Sequence, residues 1–354
     1  MQKDREGLAS AIKKYKAVQP DVYNPYHTGW EAHMMLGLFD EAFGFLEELS
    51  ENVPGWHAVH FWRGVHYLME QDTDKARDEF QVWYDDNPEN AASYARNLAY
   101  SYLVDGKYEK AASELRRRIE ITQRENMTSS ELFGHFYLGK ILASQRKYDE
   151  AIQEYGQAER LSEKLCEQDF NPYSIYAHYL MGLASAKKGD YKAANDHAGM
   201  IQSMIQEGNY SPLHAVFRYL LSAEIDVDQK NAEAARAELD KITYYWIRLS
   251  SPHFRKLQVS VMILEGDVEG AMEYCRSSFE NWITTNMGMR SLDMFDYFGE
   301  RSKLDYKLGQ MYEKLRDTPN AIEHYEKFLD QWKDADPGTT EVEDAKKRLA
   351  GLVN

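Results

Sequence analysis

The sequence predicts an all-α solenoid, a stack of antiparallel helix pairs with a capping helix at each end. Three observations lead there. Small residues return at matching places in a two-helix unit along most of the chain. Bulky apolar residues stand three or four positions from them, the spacing that gathers side chains on one helix face. Turn signals separate the members of each pair, and proline is scarce, 9 in 354 residues, as long helices with short connections require.

In chain order, Leu8–Val18 reads as a helix that stops before Pro20, so residues 1–20 form an amino-terminal cap. The first repeat keeps only its second half, Gly37, Phe39, Ala42 and Leu46, closed by Pro54. The next runs Gly64, Tyr67, Ala76 and Phe80, closed by Pro88. Three more follow: Ala99, Tyr102, Ala111, Leu115; then Gly139, Leu142, Ala151, Tyr155; then Gly182, Ser185, Ala194, Ala198. Looser copies centre on Ala235 with Leu239 and on Ala271 with Cys275. The clearest is the last, with Leu308-Gly309, Tyr312, Ala321 and Tyr325. Thr340–Leu352 then places Val342, Ala345, Leu349 and Leu352 on one face, a closing cap within 338–354. Gly or Ala on the first helix and Ala on the second let the two approach to the short end of the 8–10 Å range. Gly106, Gly189 and Gly266 sit where the first helix ends, each able to take the left-handed conformation that stops it.

The second-helix alanines are spaced 34 (Ala42 to Ala76), 35, 40, 43, 41, 36 and 50 (Ala271 to Ala321). This pattern of L-G-x2-Y, A-x3-F and a closing Pro resembles the tetratricopeptide repeat (TPR), a 34-residue unit. The resemblance spans residues 23–337 of one domain, 1–354, and implies a right-handed superhelix of about eight repeats. Leu308–Pro337 is similar to the last repeat of TPR regions in bacterial and archaeal regulators. The stretch 280–301 interrupts the pattern with Trp282, Met287, Met289, Met294, Phe295, Tyr297 and Phe298; it reads as an insertion that plugs a bend of the solenoid.

In a TPR-like stack the first helix of each pair lines the concave side. Its inward positions are His27 and Glu31; Phe61 and Val65; Arg96 and Tyr100; Phe136 and Lys140; Tyr176, Tyr179 and Leu183; Tyr219; Lys256; Tyr306 and Gln310. Aromatic rings with separated charges suit an extended or helical peptide. The expected function is therefore a protein- or peptide-binding scaffold. A sensory module taking a small ligand is the alternative, and a metal-dependent enzyme a third. The Lys/Asn clamp with which some TPR domains hold acidic chaperone tails is missing from consecutive copies, so that activity is not expected.

The rest of the sequence narrows the classes. A net charge of −16 repels phosphate backbones and disfavours nucleic acid as a partner; it also keeps an extended solenoid soluble and monomeric. Arg116-Arg117-Arg118 reads as a solvated helix face beside Glu114 and Glu120. Cys166 and Cys275 are far apart, which suits a reducing compartment. Met1–Gly7 is charged and no run of 18 apolar residues occurs, so neither a leader nor a membrane span is expected, and the chain is read as cytoplasmic. His57 and His60, three apart on one helix, could share a metal with His27 or Glu31, but a packed histidine is the better reading. Phosphate loops, zincin motifs and nucleophile elbows are absent, and no inward acid cluster emerges. The chain is thus expected to be neither an enzyme nor a cofactor or metal binder.

Overall fold

A computed structural model of the protein describes residues 2–19, 22–35, 38–165, 172–208, 210–244, 251–286 and 291–353. Gly37, Cys166, Met287 and Met289 lie outside the described residues, as does the Trp282 side chain. Among the described residues there are nineteen α-helices and no strand. Sixteen of the helices form eight pairs: α2 (Asn24–Met35) with α3 (Phe39–Asn52), α4 (Ala58–Met69) with α5 (Thr73–Asp86), α6 (Ala91–Val104) with α7 (Tyr108–Arg124), and α8 (Thr128–Ser144) with α9 (Tyr148–Leu165). The series continues as α10 (Tyr173–Lys188) with α11 (Tyr191–Gln206), α12 (Ala215–Asp228) with α13 (Ala232–Asp240), α14 (Pro252–Leu264) with α15 (Val268–Asn286), and α17 (Leu304–Lys314) with α18 (Thr318–Gln331). Helix α1 (Gln2–Val18) packs on α2, and α19 (Thr340–Leu352) packs on α18, burying Val342 and Ala345. Helix α16 (Ser291–Arg301) belongs to no pair.

The alanine register sets this architecture. Ala42, Ala76, Ala111, Ala151, Ala194, Ala235, Ala271 and Ala321 are all 0% exposed, and each is the fourth residue of a second helix. The facing glycines explain why a small residue is required. A Cβ on Gly64 would stand 2.4 Å from the Phe80 ring, one on Gly139 2.4 Å from Tyr155, and one on Gly309 2.8 Å from Tyr325. Each ring comes four residues after the alanine and fills the space the glycine leaves. The first pair has such a glycine too, Gly29 against Phe45 at 2.4 Å. The sequence pattern missed it because the ring comes three residues after Ala42 rather than four.

Five second helices start on side-chain caps: Asp72, Asp190, Asn231, Asp267 and Asp317 each accept from the backbone N–H three residues on, at 2.9–3.3 Å. The first helices α4, α6, α8, α10, α12, α14 and α17 end on a left-handed residue followed by a six-to-one backbone bond, such as Lys107 N–H to Tyr102 O at 2.8 Å. Gly106, Gly189 and Gly266 fill that slot as expected, with φ of 70°, 88° and 90°. Gln71, Arg146, Lys230 and Arg316 fill it without being glycine, at φ of 61–66°.

The stretched spacings have two causes. Helices α7 to α11 run 16–18 residues, against 12–14 for α2 to α6. The 50-residue interval holds the extra helix α16. One expectation is corrected here. Arg116 and Arg117 are exposed, but Arg118 is buried, its guanidinium donating to Ala92 O at 2.5 Å and Ser130 O at 3.3 Å. It ties α7 to the start of the helices on either side. Burial, with Arg96 nearby, pulls its pKa down to about 10, so it stays charged at neutral pH.

The superhelix closes on itself. Trp332, at the end of α18, is 1% exposed and lies on the Gly106 turn, edge-on to Tyr108 with centroids 6.1 Å apart. Asp336 N–H donates to Gly106 O at 3.2 Å, and the Asp336 carboxylate accepts from Glu109 N–H at 2.7 Å at the start of α7. Helix α15 also reaches α2. The inner face of this ring is shared between α16 and a chamber.

Candidate functional site

Helix α16 lies along α6, α8 and α14. Its Phe295, Tyr297 and Phe298 are 1–4% exposed. Phe295 stacks on Tyr137 at 5.3 Å and meets Tyr100 edge-on at 5.8 Å; Phe298 also packs on Tyr100 at 5.8 Å. Its Asp296 pairs with Lys140 at 2.6 Å.

Beside α16 a chamber of about 500 Å³ opens among α8, α10, α12, α14, α16, α17 and α19. Six residues expected on the concave side meet in its wall: Lys140, Tyr176, Tyr179, Leu183, Lys256 and Tyr306. Local structure places each. Ser251 caps α14 by accepting from Phe254 N–H at 3.2 Å, and Pro252 occupies the first turn, which sets His253 and Lys256 against the chamber. Glu224 of α12, 2% exposed, receives three partners: Lys187, Lys256 at 3.6 Å, and His253 Nε2–H at 2.5 Å. Burial alone would raise the Glu224 pKa; Lys256, the His253 hydrogen bond and Lys187 outweigh it and hold the carboxyl well below its usual range. The other ring nitrogen of His253 is hydrogen-bonded to the Tyr179 hydroxyl. Burial drives that phenol up, beside Tyr176, Asp296 and Glu224.

The opposite wall repeats the pairing. Lys303 binds Glu341 at 2.5 Å, Glu300 binds Lys307, and Tyr306 donates to Asp344 at 2.7 Å. Lys140 lies 5.4 Å from the Tyr176 ring centroid and 5.8 Å from that of Phe295, within cation–π range. Arg146 stands exposed at the rim. The wall therefore offers aromatic faces and hydrogen-bonding charges of both signs, held in place before any ligand arrives. Among the described residues each carboxylate of the wall, Glu224, Asp296, Glu300 and Glu341, is engaged by a lysine or a histidine.

The other expected residues lie elsewhere. Tyr100 is buried under α16, and Phe136 is fully buried against Tyr173 and Tyr176. Both are core residues and offer no face to a ligand, because inward rings in adjacent repeats find each other. Phe61 packs on Trp62 and Trp83, and Arg96 bonds Asn97 and lies over Tyr100. His27 packs on Trp62 at 4.3 Å, with Glu31 3.8 Å away. Tyr219 is covered by Arg218 and Lys241. Gln310 bonds Tyr306 from behind. His57 and His60 face different carboxylates, Asp86 at 2.8 Å and Glu79 at 2.6 Å. Among the described residues, no three His, Cys, Asp or Glu side chains are grouped to hold a metal ion. No described helix is long and apolar enough to cross a membrane. Residues missed from the sequence include Glu224, His253, Lys187, Lys303 and Asp296. Of these only His253 carried a local signal, the Ser-Pro helix start before it.

The tetratricopeptide repeat family matches residues 304–335, the α17–α18 pair. A search of curated proteins finds no match. Among solved structures, a Rap protein complexed with competence and sporulation factor superposes with a TM-score of 0.53 at 13% identity, covering 99% of this chain and 94% of that one. The apo form of the quorum sensor NprR from B. thuringiensis gives 0.46 at 11% identity over 100% and 95%. A tetratricopeptide repeat protein from Parabacteroides merdae gives 0.41 at 13% identity over 84% and 99%. With its eight alanine-registered pairs and a last pair that matches the repeat itself, the chain is a TPR-like helical-repeat protein.

Proposed function

We propose that the protein is a non-catalytic scaffold that binds an extended segment of another protein, or a free peptide, in the chamber beside α16. The observation that carries this reading is the wall itself: Tyr176, Tyr306, Lys140 and Lys256, displayed by different repeats, converge on one cavity of about 500 Å³. A peptide brings backbone donors and acceptors at every residue, and paired charges of both signs answer both. Rings add contact area at low entropy cost. That a protein of this fold was solved in complex with competence and sporulation factor is consistent with an interaction role.

The test is to pan a random heptapeptide library against the protein and measure the selected peptides on Leu183→Trp, which narrows the chamber without removing an ion pair. A loss of tenfold or more, about 1.4 kcal/mol, with unchanged helicity supports the reading. Undiminished binding to Leu183→Trp places the peptide elsewhere and overturns it.

A further inference from the structure

A second cavity stands beside the chamber. It has a volume of about 200 Å³ and shares Pro252, Lys256 and Glu300 with the chamber wall. Its floor belongs to a small core separate from the main one, made of Ala271, Cys275, Leu308 and Met311 with Val259 and Ile263 packed against them. The Cys275 thiol is pushed up by burial, so the floor is uncharged at neutral pH.

The rim has a different character. Lys256, Lys307 and Lys314 line it, with Arg255 almost buried beside them at 8% exposed, against one carboxylate, Glu300. Glu300 is engaged by Lys307, and Lys256 reaches towards Glu224, while Lys314 stands exposed. Four cations to two carboxylates, Glu300 and the Glu224 that Lys256 reaches, in a chain whose net charge is −16, is a local reversal of sign. An apolar floor asks for a hydrocarbon group, and the excess of positive charge at the mouth asks for an anion attached to it. The size narrows the choice, since an apolar cavity of about 150 Å³ takes a benzene ring. This cavity therefore takes one ring or a tail of about four to six carbons.

We propose that this slot between α14, α15, α16 and α17 is a binding site for a carboxylate joined to one short apolar group. Two sources share that chemistry: a free short-chain carboxylic acid, and the carboxyl-terminal apolar residue of a peptide. The site stands whether or not a peptide fills the chamber.

Calorimetric titration with hexanoate and with 1-hexanol tests the two halves of the idea, and N-acetyl-leucine against its amide tests the chain-end source. The acids bind and their neutral partners bind about tenfold or more weakly, the equivalent of 1.4 kcal/mol. Ile263→Phe fills the slot and removes acid binding. Lys314→Glu leaves the core untouched and weakens the acids about two- to fivefold, as an exposed charge does, without affecting 1-hexanol. If Ile263→Phe fails to fold, the Lys314→Glu titration and the acid–alcohol comparison still decide. Equal binding of hexanoate and 1-hexanol, no binding of either acid at millimolar concentration, or full acid binding by folded Ile263→Phe overturns the proposal. Tighter hexanoate than N-acetyl-leucine assigns the free acid, and the reverse assigns the chain end; each supports the site.

Discussion

The inner face of this ring is built twice from the same helix pairs, with opposite results. Along α6 and α8 it is dry: Tyr100 and Tyr137 are at most 3% exposed, and α16 lies on them. Along α10, α12 and α14 it is open, and its polar groups are paired with one another within each wall. The repeat grammar is the same in both halves, a small residue on the first helix and a buried alanine at the fourth place of the second. What differs is the helix inserted between the seventh and eighth pairs. A concave surface is therefore not a site until the segments that break the repeat have been placed on it.

The largest effect follows from removing the plug. Phe298, 1% exposed, packs on Tyr100 and Tyr297, and Phe298→Ala is expected to lower unfolding stability by about 3–5 kcal/mol. Half-buried Tyr176 on the open side should lose clearly less as Tyr176→Ala. Equal losses in chemical denaturation would erase the distinction between the halves. Next in size, Ala151→Phe forces a ring into the α8–α9 contact and should cost about 1–3 kcal/mol or more. An unchanged melting temperature would mean that the alanine register does not set the packing.

Acid should separate the halves chemically. Burial pushes the Glu300 pKa up, but Lys307, Lys256 and Lys303 bring it down to about 2. A carboxylate depressed in the folded state stabilises it above the unfolded pKa, and that contribution is lost as pH falls from about 4.5 towards 2. It is on the order of 2 kcal/mol, allowing for screening on the open side of the group. Urea midpoints measured from pH 7 to pH 3 should fall, and the slope should be shallower in Glu300→Gln. A variant with the wild-type slope would show that Glu300 does not carry the acid sensitivity. The smallest effect is a gain. Lys230 holds φ of 61° at a helix end, and Lys230→Gly should stabilise by about 0.5 kcal/mol, the relief of left-handed strain less the added chain entropy. A loss in thermal melts would show that the lysine stem has a role the backbone does not reveal.

Helix pairs were legible because their signal is local: Ala151 and Tyr155 are four residues apart and touch the same partner helix. The last pair was legible for the same reason. Half of the chamber was legible as well, since Tyr176, Lys256 and Tyr306 sit at positions the repeat turns inward. The other half was not. Asp296 meets Lys140 across 156 residues, and Glu224 gathers Lys187 and His253 from separate helices. Arg118 was misread because a buried guanidinium satisfied by carbonyl oxygens leaves the same trace in a sequence as a solvated one. Left-handed Gln71, Arg146, Lys230 and Arg316 escaped because side-chain identity announces that conformation only when it is glycine or asparagine.

The meeting of Asp336 with the Gly106 turn has a kinetic consequence. An open solenoid folds through contacts between neighbours, and its pairs can form in any order. A contact spanning 227 residues cannot form until the pairs between are in place. Bringing the ends together costs only about 0.6 kcal/mol more for each doubling of the loop, so the final docking is slow in arriving rather than weak once made. The chamber wall draws on both sides of that joint, from α8 and α10 on one side and α17 and α19 on the other. Competence to bind should therefore appear as the last phase of refolding, after helicity has been recovered.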